Sequence, residues 1–186
     1  VEEVGFRLIP IGVFLAIYLL ITKRRELKFS FKQKIKLFFT SVIFPDKAKS
    51  LTSTKTVYKH GIKNGISRAE WGMLIFTAIV FGIAHFDPGA SWEIGKISSA
   101  GFAGLVIGLS YLIYGAQTAI IMHWFFNVYT ETYYLLSEFI PAAENFANAT
   151  IIVSFILGIL GWVIVAVFAI RTVQKRQKKA TSSLTR

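Results

Sequence analysis

Seven residues of this chain have the types and spacing of a hydrolytic site: Glu2, Glu3 and Arg7 near its start, Phe81 and His85 further on, and His123 with Asn127 beyond them. Glu3 and Arg7, Phe81 and His85, and His123 and Asn127 are each four positions apart, so on helices each pair shares one stripe. An ion pair between Glu3 and Arg7 neutralises both and fixes the rotation of their helix. Glu2 is left without that partner. A carboxylate in apolar surroundings has its charged form disfavoured, which equips it to take a proton from water. His85 is placed to orient that water or relay the proton, and His123 with the Asn127 carboxamide to donate hydrogen bonds to a developing oxyanion. Such a set hydrolyses an amide without a nucleophilic cysteine, and the chain has no cysteine. No G-x-S-x-G elbow offers a serine instead.

Two other readings use the same residues. Two imidazoles and a carboxylate (Glu2, His85, His123) suit zinc or iron. Against that, neither H-E-x-x-H nor H-x-x-x-H occurs, and Asn127 stands where a second ligand of the fourth apolar segment would be. The alternative is an interhelical hydrogen-bond network with no chemistry. Ionisable groups inside hydrocarbon cost about 2.5 kcal/mol or more each, so a purely structural network has little need of two carboxylates and two imidazoles.

The elements that must position these groups are membrane helices. Of 186 residues, 54% are hydrophobic, 15% aromatic and only 17% charged, which excludes disorder, and the lack of cysteine excludes a disulfide scaffold. Apolar segments at roughly 2–22, 71–86, 97–114, 116–138 and 149–170 are each comparable to the ~20 residues that cross a bilayer. The expectation is an all-α, polytopic membrane bundle with about five transmembrane helices. The core spans 1–170, with a basic insertion at 23–70 and a basic tail at 171–186. A helix is already under way at Val1, so the sequence is read as an N-terminally truncated fragment, and no signal peptide can be assessed.

The formal net charge is +11, carried by 21 basic and 10 acidic residues. The basic residues sit in two blocks between apolar stretches rather than over a soluble face, which points to a bilayer and away from nucleic acid. Residues 23–70 hold 13 basic residues against Glu26, Asp46 and Glu70, and the tail from Arg171 adds six. Counting crossings puts both blocks on one side, expected cytoplasmic, with Asp87, Glu93, Glu138 and Glu144 on the other, and Gly115 in a tight cytoplasmic turn. Within the insertion, Leu27, Phe31, Ile35, Phe38 and Val42 recur at helical spacing opposite Lys28, Lys32 and Lys36, the pattern of an interfacial helix on anionic headgroups. Gly101, Gly104 and Gly108 line one side of the third segment, where a neighbour can approach closely. Asn148-Ala-Thr150 forms a glycosylation triplet best explained by chance.

The runs Glu2-Glu3-Val-Gly-Phe-Arg7, Phe81-Gly-Ile-Ala-His85 and His123-Trp-Phe-Phe-Asn127 resemble the E-E-x-x-x-R, F-x-x-x-H and H-x-x-x-N motifs of the CPBP intramembrane protease family. That family includes type II CAAX prenyl endopeptidases and bacteriocin-processing or immunity proteins. Order, internal spacing and placement on separate helices all agree over about residues 1–130, and Gly104-Leu-Val-Ile-Gly108 is similar too. The stretch between the first two motifs is longer than the family's pattern.

The resemblance implies a helical membrane endopeptidase in which Glu2 is the general base, His85 its partner on the water, and His123 with Asn127 the oxyanion donors, supported by Glu3, Arg7 and Phe81. No cofactor is then required; in a zinc-dependent form, Glu2, His85 and His123 would be the ligands. Expected partners are membrane lipids and a peptide or lipidated peptide. Trp92, Trp124 and Trp162 offer apolar surface beside a prenyl chain, although packing is the better explanation of them. The expected topology puts Glu2 and His85 toward the non-cytoplasmic helix ends, whereas a CAAX substrate arrives from the cytoplasm. The non-enzymatic alternative is a membrane binding or immunity-type protein that keeps the pocket. An ion pathway ranks last, because no polar chain continues below His123.

Overall fold

A computed structural model describes residues 2–23, 29–86 and 93–184, and every regular element among them is helical. Leu27 and Lys28 of the expected stripe, Asp87 and Trp92 lie outside the described residues. The first helix, α1 (Val4–Thr22), is π-helical over Val4–Val13, where Pro10 lacks the N–H of a regular rung, and α-helical from Phe14. The helical turn holding Glu2 and Glu3 leads into it. Three short helices follow: α2 (Phe31–Ile43), α3 (Pro45–Leu51) and α4 (Val57–Gly65). The long elements α5 (Arg68–Ala84), α6 (Glu93–Tyr114), α7 (Ala116–Phe139) and α8 (Pro141–Leu184) complete the bundle.

Local chemistry sets the boundaries. Ser30–Gln33 and Ser67–Glu70 form reciprocal capping boxes at the starts of α2 and α5, and Pro45 opens α3 where its missing N–H costs nothing. Gly115, at φ +100, makes the sharp reversal between α6 and α7. Packing then follows the small residues. A β-carbon on Gly82 of α5 would come within 2.6 Å of the Ile97 carbonyl oxygen and 3.0 Å of Gly101 Cα in α6. The glycine stripe expected to admit a neighbouring helix does so. Ile11, Leu74, Ala78, Leu105, Ile107, Tyr111 and Leu112 form the centre of the core, while Ile17, Phe76, Ile79, Ile83 and much of α8 turn apolar side chains outward, as in a bundle whose solvent is lipid.

The all-α membrane bundle is as expected, and its spans divide by length and hydropathy. Among the described residues three helices are long and apolar enough to cross a membrane (Val4–Thr22, Gly95–Tyr114 and Pro141–Gln174), with a fourth if α4 and α5, bent by 72°, form one broken span. The α7 helix has 24 residues but falls short in hydropathy, because His123, Asn127, Thr130, Glu131, Ser137 and Glu138 interrupt it. The segment expected at 149–170 is the middle of a helix of 44 residues, about 66 Å long at 1.5 Å per residue.

The basic insertion folds back onto the bundle. Leu37 of α2 packs with Leu15 and Leu19 of α1. The Tyr111 hydroxyl donates to the Val42 carbonyl at 2.6 Å, and Val42 Cα lies within 2.9 Å of where a Gly12 β-carbon would stand. Thus α2 runs antiparallel to α1. The expected stripe is split by this contact: Phe38 and Val42 are half-buried, whereas Phe31 and Ile35 face outward with Phe39.

Candidate functional site

The three motifs meet at the start of α1, the end of α5 and the first half of α7. Because neighbouring helical residues point about 100° apart, only one of the two acids can face Arg7. Glu3 does: Arg7 Nη1 donates to Glu3 Oε1 at 2.8 Å, with both side chains buried. Arg7 Nη2 donates to the Gly104 carbonyl at 3.2 Å, and the guanidinium carbon lies 4.2 Å from the Phe81 ring centroid. Gly104 has no side chain for a reason, since a β-carbon there would meet Phe81 Cδ1 at 2.9 Å and Arg7 Nη2 at 3.3 Å.

Glu2 points the other way, toward both histidines. Its Oε2 is 3.4 Å from His123 Nε2 and 3.8 Å from His85 Nε2. The far nitrogens are engaged elsewhere: His85 Nδ1 lies 2.8 Å from the Phe81 carbonyl oxygen, and His123 Nδ1 lies 2.7 Å from Glu3 Oε1. Carbonyl and carboxylate oxygens only accept, so both Nδ1 atoms carry the proton and both rings turn Nε2 to the same carboxylate oxygen. Phe81 packs between the rings, at 4.2 Å from His85 and 5.5 Å from His123.

The two acids differ in burial in a way that the sequence did not indicate. Glu3 is 6% exposed, whereas the Glu2 side chain is 51% exposed, so the carboxylate expected in an enclosed pocket lies at its mouth. Asn127 sits one turn beyond His123, exposed, and its side chain makes no hydrogen bond to the cluster. Of the seven residues, the structure therefore brings six together and leaves Asn127 at the rim.

Two features escaped sequence reasoning. The bond from His123 to Glu3 spans 120 residues and has no local signal. The Gly104 carbonyl as acceptor for Arg7 was hinted at only by the small residue at that position. Within the cluster, Glu3 Oε2 and Arg7 Nε are buried without a hydrogen-bond partner.

The zinc alternative meets a partial fit. Histidines whose outer nitrogen is held by a carbonyl or carboxylate are typical of metal ligands. Yet among the described residues no three His, Asp or Glu side chains are arranged to hold a metal ion.

Comparison with known proteins adds one match. The family model described as "Type II CAAX prenyl endopeptidase Rce1-like" matches residues 1–129, which takes in all three motifs and all seven site residues. No curated protein and no solved structure matches the chain.

Proposed function

The chain belongs to the Rce1-like family of type II CAAX prenyl endopeptidases, a protease family, and on that premise we propose that it cleaves a membrane-associated peptide with water activated by Glu2. The observation that carries this reading is that two histidines from different helices turn Nε2 to one oxygen of Glu2 while their Nδ1 atoms are tied. Glu2 Oε2 and His85 Nε2 lie side by side, so in the proposed reaction one water beside them reaches both.

In this mechanism the water donates one hydrogen to Glu2 and the other to His85 Nε2. Glu2 takes the proton as the oxygen attacks the peptide carbonyl, and returns it to the leaving amine when the C–N bond breaks. His123 and the Asn127 amide stabilise the tetrahedral oxyanion. To donate from Nε2 while Nδ1–H stays on Glu3, the His123 ring must carry both protons, and Glu3 supplies the counter-charge. Arg7 and Phe81 hold Glu3 and the two rings in place. The half-exposed Glu2 leaves the scissile bond a way in.

The substrate class follows the family: a prenylated CAAX-type peptide, or another peptide held at the membrane. The reading needs no metal, so dialysis against EDTA is expected to leave activity intact. Full-length protein reconstituted in liposomes with a farnesylated CAAX peptide tests the proposal. Glu2→Gln is expected to lower kcat by about 100-fold or more. Cleavage at the wild-type rate by this variant would overturn the mechanism.

A further inference from the structure

We infer that the folded basic insertion binds the phosphate of an anionic lipid headgroup, in a pocket formed by Tyr18, Thr22, Lys23, Ser53, Thr54 and Lys55. The inference is independent of the peptidase mechanism, since none of these residues touches the cluster around Glu2.

The charge balance of the insertion comes first. The two acids among its described residues are both buried and spent internally. Asp46 accepts from the Val57 and Tyr58 backbone N–H groups at 2.7 and 3.1 Å, and Glu70 accepts from Lys49 at 2.9 Å and from the Ser67 N–H at 2.7 Å. Lys49 is the basic residue they neutralise, and it is fully buried. Lys32, Lys34, Lys36, Lys47, Lys59 and Lys63 are exposed and have no ion pair among the described residues. Among the described residues these six lysines leave the outer surface of the insertion positive, and the partner it fits is negative.

The pocket gives that charge a focus. It has a volume of about 390 Å³ and is lined by Tyr18, Thr22 and Lys23 from one part of the chain and by Ser53, Thr54 and Lys55 from another. The Thr22 hydroxyl is spent on the Tyr18 carbonyl and that of Thr54 is shared with Thr52, so the Lys55 ammonium and the Ser53 hydroxyl are the donors suited to phosphate oxygens. The turn at its wall is built rather than loose. Thr52 and Thr54 share a hydroxyl hydrogen bond at 2.9 Å, and the Thr54 N–H donates to the Lys49 carbonyl at 2.9 Å. Ser53 is held at φ +53, the one non-glycine residue at positive φ among those described.

Position selects a lipid over a free anion. Tyr18, Thr22 and Lys23 are the end of the first membrane-spanning helix, where headgroups lie. The antiparallel α2 beside it exposes Phe31, Ile35 and Phe39 interleaved with lysines, the composition that seats an element at an anionic interface.

The test titrates short-chain dihexanoyl phosphatidylglycerol, dihexanoyl phosphatidylcholine or inorganic phosphate into the detergent-solubilised full chain and follows Tm. Phosphatidylglycerol is expected to raise Tm saturably, less so at high salt, while the other two have little effect. Lys55→Gln, at an exposed position, is expected to weaken the apparent affinity about fivefold. An equal response to phosphatidylcholine, an equal response to inorganic phosphate, or wild-type affinity in Lys55→Gln would each overturn the assignment.

Discussion

Two buried charge clusters, one at each end of α5, solve the same physical problem in opposite ways. At the start of α5, Lys49 donates to the Gly65 carbonyl at 2.6 Å and to Glu70 at 2.9 Å, and lies 3.4 Å from Asp46. The carboxylates in turn accept from backbone N–H groups of α4 and of the α5 cap. Among the described residues, none of its buried side-chain oxygens or nitrogens is left over. At the far end, Glu3, Arg7 and His123 are as deeply buried, yet Glu3 Oε2 and Arg7 Nε have no partner and Glu2 stands half in the open. A network whose only task is to hold helices together is closed. The cluster around Glu2 keeps two unspent buried polar atoms and an exposed acid, which is the arrangement expected under the proposed reaction.

That contrast can be broken by mutation. The largest effect on folding is expected at the closed cluster: Lys49→Met strands two buried carboxylates and should cost about 3 to 5 kcal/mol, read as a fall in Tm in detergent. If Lys49→Met were as stable as wild type, the two clusters would not differ in the way described. Next comes Glu3→Gln, which keeps the shape but weakens the hold on His123. Support of this kind is worth about 10- to 100-fold in activity, expected in kcat with KM little changed. A loss confined to KM would mean that Glu3 acts on substrate binding instead. Smaller again is Gly104→Ala, where the added methyl meets Phe81 and Arg7. A cost of about 1 to 3 kcal/mol is expected from overpacking, seen in thermal unfolding together with reduced activity. The smallest is Asp46→Asn, which keeps an acceptor for the Val57 N–H but loses its charge beside Lys49 and at the α4 terminus. About 1 kcal/mol is expected there, with kcat unaffected in the folded fraction.

The sequence revealed the motifs because spacing inside a helix fixes a face. Glu3 with Arg7 and Phe81 with His85 follow from the four-residue interval alone, and the glycines of α6 announced a close neighbour. Apolar length was enough for α1, α6 and α8. The segment at 116–138 is the helix α7, though its polar residues keep its hydropathy below that of the other three, and the helical spacing that announced α2 did not tell its inward face, which is set by contact with Gly12 and Tyr111 in other elements. The lysine pairing of Glu70 and the carboxylate behind His123 join residues 21 and 120 positions apart. No periodicity within one element records such contacts. The relative burial of Glu2 and Glu3 was hidden for the same reason, since it depends on where α7 stands.

The central claim is that Glu2 and His85 on the water and His123 on the oxyanion act as one unit, and a double-mutant cycle on kcat tests it most directly. Groups acting as a unit are strongly non-additive. The variant combining Glu2→Gln with His123→Ala is therefore expected to be no slower than the slower single variant, with Tm confirming that all three fold. Single losses that simply multiply in the double variant would show that Glu2 and His123 work independently, and would contradict the account.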